Sequence, residues 1–88
     1  MKRALVTGGS GGIGAAISRR LAAAGHHVIV HANRSLDKAG AVITAIREAG
    51  GSAEAVAFDV TDRTATAAAL EKLLAAGAIQ ILVNNAGI

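Results

Sequence analysis

The sequence has no cysteine, which excludes a disulfide framework and any Cys-ligated zinc site. It has no proline and no low-complexity linker, so nothing in it marks a domain boundary. Tyrosine and tryptophan are absent, and Phe58 is the one aromatic residue. Nucleic-acid surfaces usually cluster cations and interleave rings for stacking. Here the cations are scattered, with only Lys2-Arg3 and Arg19-Arg20 adjacent, so no nucleic-acid partner is expected. No apolar run approaches the ~18 residues of a membrane span. The apolar stretch after Met1-Lys2-Arg3 is too short for a signal-peptide core. No membrane association and a cytoplasmic location are therefore expected. Acids are scarce, leaving a formal net charge of +3.

What is present suits one small globular domain. The 88 residues are 52% hydrophobic and 17% charged, too apolar for a disordered tail. Ala4-Leu5-Val6, ending at Thr7, reads as a short strand. Ile13, Ile17 and Leu21 recur at every fourth position, the spacing of one helix face, and Gly25 is a stop signal. His27-Val28-Ile29-Val30-His31 is rich in β-branched residues and predicts a second strand. Ser35 is placed to cap a helix carrying Leu36, Ala39, Ile43 and Ile46, which Gly50-Gly51 ends. Ala53–Phe58 predicts a third strand. Thr61 or Asp62 caps a third helix, with Ala67-Ala68-Ala69 as strong helix formers and Leu70, Leu73 and Leu74 as its apolar face. That helix stops at Gly77, and Ile79–Val83 predicts a fourth strand.

The order β-α-β-α-β-α-β argues for an α/β fold with a parallel sheet and right-handed crossovers. The expected architecture is half of a Rossmann-type doubly wound sheet with strand order 3-2-1-4. Residues 1–88 then make a single domain, with no room for a second.

The main chemical signal is Thr7-Gly8-Gly9-Ser10-Gly11-Gly12-Ile13-Gly14, which follows a strand and opens a helix. Amide groups at a helix start, aided by the helix dipole, bind phosphate. Glycine permits unusual backbone angles and close approach of a ligand, and Gly14 would let the helix pack tightly on the strand. A tight glycine-rich turn without a ligand is the competing reading. The loop lacks the Gly-Lys-Ser/Thr ending of an NTP-binding loop. About twenty residues on, a carboxylate would hold the ribose of NAD, whereas an arginine would accommodate the 2′-phosphate of NADP. The segment Ala32-Asn33-Arg34-Ser35 has no acid. It favours NADP, with NAD as the lesser alternative. Arg34 can fork onto a phosphate and Ser35 can donate a hydroxyl. His26, His27 and His31 read as partly exposed strand-end residues, and Ser18 as a helix-surface residue. Ser10 reads as a phosphate-loop donor.

The glycine loop resembles the T-G-x-x-x-G-I-G motif of short-chain dehydrogenases/reductases. Leu82-Val83-Asn84-Asn85-Ala86-Gly87-Ile88 resembles the family's N-N-A-G motif, and Phe58-Asp59-Val60-Thr61-Asp62 its D-V-T-D segment. Among subfamilies, the 3-oxoacyl-[acyl-carrier-protein] reductases are most similar. The resemblance spans the whole chain but only the N-terminal part of the family's domain. It implies that Gly8, Ser10, Gly11, Gly12, Ile13 and Gly14 wrap the pyrophosphate and adenosine ribose. It sets Asn33, Arg34 and Ser35 at the 2′-phosphate, and Asp59 at the adenine amino group with Val60 beside it. Asn85, Ala86 and Gly87 would pass along the cofactor's ribose, and Asn84 would be structural. Gln80 stands where the family usually has Asp, and the approach to strand four is about one residue short.

In that family a Tyr donates the proton for carbonyl reduction, a Lys and a Ser assist it, and all follow the N-N-A-G motif. No residue here maps to them. The resemblance therefore implies an NADP(H)-binding part of a carbonyl reductase without turnover of its own. Two alternatives remain. One is a self-associating α/β module that binds no nucleotide. The other is an enzyme completed by a partner chain. The apolar edge of strand four is expected to pair with a second copy.

Overall fold

A computed structural model describes residues 2–34 and 36–85. The elements are β1 (Arg3–Thr7), α1 (Gly12–Ala23), β2 (His27–Ala32), α2 (Leu36–Glu48), β3 (Ser52–Ala57), α3 (Arg63–Ala75) and β4 (Ile81–Asn84). All pairings are parallel and the strand order is β3-β2-β1-β4, as the alternation predicts. Leu5 pairs with Ile29 on one side and with Leu82 on the other. Among the described residues no helix is long and apolar enough to cross a membrane.

Parallel strands covered on both faces need continuous apolar runs rather than alternation. β1 and β2 meet this: Ala4, Leu5, Val6, Val28, Ile29, Val30 and Ala32 are buried. α2 closes one face with Ala39, Val42, Ile43 and Ile46; of the predicted stripe Ala39, Ile43 and Ile46 are buried, whereas Leu36 is exposed at the start of the helix and Val42 joins the face. α3 is different. None of its residues is buried, Leu74 is 55% exposed, and Leu70 and Leu73 are only half-buried. The core therefore sits between the α1/α2 layer and the centre of the sheet.

α1 keeps its predicted face only in part, since Ile17 and Leu21 pack against the core from its flank. The buried residues are Gly14, Ala15, Ser18 and Ala22, whereas Ile17 and Leu21 are half-buried and Ile13 is 66% exposed. A helix lying close on a sheet needs small residues underneath, so its large side chains flank the contact. The Ser18 hydroxyl, expected at the surface, is fully buried and donates to the Gly14 carbonyl at 2.9 Å.

Strand bounds also shift. β3 begins at Ser52 and ends at Ala57, with Phe58 just beyond it but buried, its N–H donating to the Ala32 carbonyl at 3.1 Å. β4 begins at Ile81, not Ile79. Gln80 instead borders the start of β1: its N–H donates to the Arg3 carbonyl, and its Oε1 accepts the Arg3 N–H at 2.8 Å. The Arg3 guanidinium donates to the carbonyls of Leu73 and Gly77, which closes the C-terminal end of α3. Asp62, rather than Thr61, caps α3 by accepting the Ala65 N–H at 3.0 Å. The expected cap at Ser35 lies outside the described residues.

α1 and α2 end alike. Past α1, the His26 N–H reaches the Leu21 carbonyl and the Gly25 N–H that of Ala22, and Gly25 has φ +93°. Past α2, Gly51 bonds to Ile46 and Gly50 to Arg47, and Gly50 has φ +86°. These are paired Schellman closures that need a left-handed residue. Gly50→Ala should therefore cost about 1–2 kcal/mol in urea unfolding. No loss of stability would contradict this assignment.

Candidate functional site

The chain runs outward from β1 through β2 to β3, then returns to place β4 on the other side of β1. That reversal falls at the C-terminal ends of β1 and β4, the position at which open α/β sheets usually bind ligands. The glycine loop leaves β1 at this point.

The loop is held by contacts that leave no room for a side chain at Gly9 or Gly14. Gly8 has φ +65°. The Gly9 N–H donates to Val6 O at 3.1 Å and the Gly11 N–H to Gly8 O at 3.3 Å. A Cβ at Gly14 would lie 2.0 Å from Gly8 O and 2.8 Å from Asn85 Nδ2. A Cβ at Gly9 would meet Val6 O at 2.8 Å. Gly11 and Gly12 face outward: a Cβ at Gly12 would meet nothing within 4 Å. The first helical bond of α1 runs from Ala15 N–H to Gly11 O, so the amides of Gly12, Ile13 and Gly14 precede the helix's own acceptors. No side chain caps this end and its first turn has no acid. A rigid, uncapped, partly positive helix end is suited to an anion.

The end of β4 is stitched to the loop. Asn85 Nδ2 donates to Gly8 O at 3.2 Å, and the Asn85 N–H to Thr7 Oγ1 at 3.0 Å. Thr7 Oγ1 lies 3.2 Å from both Val83 O and Asn84 Oδ1, which gives Asn84 the structural place expected of it. On the other flank, Asn33 Oδ1 accepts the Val60 N–H at 3.4 Å, joining the loops that follow β2 and β3. Asp59 Oδ1 accepts both the Thr61 hydroxyl at 2.7 Å and the Thr61 N–H at 2.9 Å. These two bonds hold the Asp59 carboxyl below its ordinary value against an opposing effect of desolvation, and the Arg34 charge adds the least. Arg34 is exposed.

The described candidates thus gather along one edge. Gly8, Gly14 and Asn85 are in mutual contact, with Ser10, Gly11, Gly12 and Ile13 continuing the loop. Asn33, Arg34, Asp59 and Val60 form a second cluster at the ends of β2 and β3. Ser35, Ala86 and Gly87 lie outside the described residues. A separate groove of about 610 Å³ between α1 and α2, lined by Ala16, Arg19, Arg20, Ala45, Ile46 and Ala49 among others, contains none of these residues.

His31 is the residue that sequence reasoning missed. It is fully buried rather than partly exposed, and its ring nitrogens contact the Gly8 N–H and the Phe58 carbonyl. The available signal was a polar residue ending a strand that is otherwise apolar; such a residue must find partners inside.

The family model for short chain dehydrogenases matches residues 2–88. An uncharacterized oxidoreductase of Bacillus subtilis, YuxG, is 47% identical over 99% of this chain and 13% of its own length. The 3-oxoacyl-[acyl-carrier-protein] reductase FabG of Aggregatibacter actinomycetemcomitans is 44% identical over 96% of this chain and 35% of its own. A metagenomic short-chain oxidoreductase solved in complex with NADP superimposes with a TM-score of 0.94 at 45% identity, covering 99% of this chain and 39% of that one. The chain thus spans about a third or less of the length of the curated relatives it matches.

Because the Thr61 hydroxyl bond, which valine cannot make, favours the ionised carboxylate, Thr61→Val should move the Asp59 pKa part of the way up toward the ordinary carboxylate value. Carbon-13 NMR titration of the Asp59 carboxyl measures this. An unchanged titration would contradict the assigned cause.

Proposed function

Because this chain belongs to the short-chain dehydrogenase family, we propose that the edge formed by its glycine loop and the ends of β2, β3 and β4 binds NADP(H). The observation that carries the reading is the start of α1. Gly14 admits the Gly8 carbonyl where any other residue would collide with it, and the exposed amides of Gly12 and Ile13 are left without helical acceptors. In this reading Gly8, Ser10, Gly11, Gly12, Ile13 and Gly14 receive the pyrophosphate and adenosine ribose. Arg34, with Asn33 and Ser35, takes the 2′-phosphate. Asp59 has one oxygen engaged by Thr61 and turns the other to the adenine amino group, beside Val60. Asn85, with Ala86 and Gly87, borders the ribose. Bound there, NADP(H) supplies or accepts a hydride.

Identity to FabG and the NADP complex of the superimposed oxidoreductase support a reductase of the 3-oxoacyl-carrier-protein type acting on carbonyls. These 88 residues contain no tyrosine, so no phenol is available to protonate a carbonyl oxygen. The chain is read as binding cofactor without turnover of its own.

Calorimetric titration with NADPH and NADH tests the assignment. Gly12→Val should leave circular dichroism unchanged, since its Cβ points into open space, yet weaken NADPH about tenfold or more. Arg34→Asp should weaken NADPH about 10- to 100-fold and NADH little. Equal losses for the two nucleotides would overturn the 2′-phosphate assignment. Folded wild-type protein without saturable binding would favour the module that binds no nucleotide.

Self-association belongs to the same proposal. Among the described residues β4 is an edge strand of the sheet, and Leu82 on it is 65% exposed. An unpaired apolar edge templates pairing with a second copy. Light scattering should give a multiple of 8.7 kDa for the wild type and the monomer mass for Leu82→Lys. A monomeric wild type would contradict it.

A further inference from the structure

The imidazole of His31 has no solvent exposure and makes two hydrogen bonds to backbone groups distant in sequence. The Gly8 N–H donates to Nδ1 at 2.9 Å, and Nε2 lies 2.7 Å from the Phe58 carbonyl. A backbone amide can only donate and a carbonyl can only accept. The ring must therefore be neutral, with its proton on Nε2 and a lone pair on Nδ1. The Phe58 ring stacks against it, centroids 4.2 Å apart and tilted by 47°. Phe58 is itself strapped to the end of β2 through the Ala32 carbonyl.

The bond to the Gly8 N–H acts at the turn that opens the loop. Gly8 sits at φ +65°, with its carbonyl fixed by Asn85 Nδ2 and the Gly11 N–H. His31 fixes the other side by drawing the Gly8 N–H inward. With both sides pinned, the Gly8 carbonyl stays where Gly14 makes room for it.

We propose that His31 is a positioning residue: as the Nε2–H tautomer it locks Gly8, and so presets the glycine loop in the shape that receives a pyrophosphate. The second bond, to Phe58, ties that loop to the segment carrying Asp59. The inference rests on the cofactor reading above, and gains affinity by preorganisation rather than by contact with the ligand.

Two substitutions separate the bonds. In His31→Asn the amide oxygen falls where Nδ1 was and keeps the Gly8 bond while losing Phe58. In His31→Gln the amide nitrogen falls near Nε2 and keeps Phe58 while losing Gly8. Both remove the ring, so a merely space-filling histidine would be missed equally in the two. Nitrogen-15 NMR of the full chain should show unprotonated Nδ1 and a through-hydrogen-bond coupling between it and the Gly8 amide. The Gly8 amide should resist solvent exchange in wild type and His31→Asn and lose that protection in His31→Gln. NADPH affinity should follow, within about twofold of wild type for His31→Asn and about 3- to 10-fold weaker for His31→Gln. A protonated Nδ1, or equal losses in the two variants, overturns the proposal. Wild-type protein that takes up no NADPH contradicts the cofactor reading instead, and the exchange of the Gly8 amide then decides the role of His31.

Discussion

The carbonyl oxygen of Gly8 occupies the space where a side chain at position 14 would begin, 2.0 Å from an ideal Cβ. That close approach fixes where α1 starts, and much of the rest follows from it. The helix can lie flat on β1 and β2 only if its underside is small. Gly14, Ala15, Ser18 and Ala22 supply that underside. Ser18 satisfies its buried hydroxyl within the helix, on the Gly14 carbonyl. With the helix so placed, its first amides emerge at the C-terminal edge of the sheet, at the reversal between β1 and β4. The same absence of a Cβ thus serves packing and ligand access together.

Around that contact the edge is cross-linked by polar bonds rather than by apolar packing. Asn85 joins β4 to Gly8, Asn33 joins the loops after β2 and β3, and His31 links Gly8 to Phe58. Each of these bonds has a modest net value, about 0.5–1.5 kcal/mol. Their common effect is to hold loops in register that would otherwise move separately. The far side of the sheet is built differently. α3 buries none of its residues and β4 shows Leu82 to solvent. The face under α1 and α2 is the more closely packed of the two.

Strand order, helix order and the glycine loop were legible because each depends on local pattern, whereas Asn33, Asp59, Val60 and Asn85 entered as candidates only through the family resemblance. Apolar runs between helical periods give parallel strands, and the glycine loop reads as a turn opening a helix. What escaped the sequence depends on partners far along the chain. Large apolar residues at every fourth position pointed to Ile13, Ile17 and Leu21 as the inner face of α1, whereas close packing chose the small residues one position on. His31 looked like a strand-end residue because its partners, Gly8 and Phe58, are backbone groups 23 and 27 residues away. Gln80 read as part of a strand, but its side chain meets the start of β1 across 77 residues. Periodicity reports which face is apolar, and it is silent on which polar groups meet.

Amide NMR of the chain with added NADPH is the most direct check on the central claim that this edge holds a nucleotide. The account predicts saturable shifts at Gly9 to Gly14, Arg34 and Asp59, with Arg19, Arg20 and Ala45 in the α1–α2 groove unmoved. Shifts confined to that groove, or none at all, would contradict it.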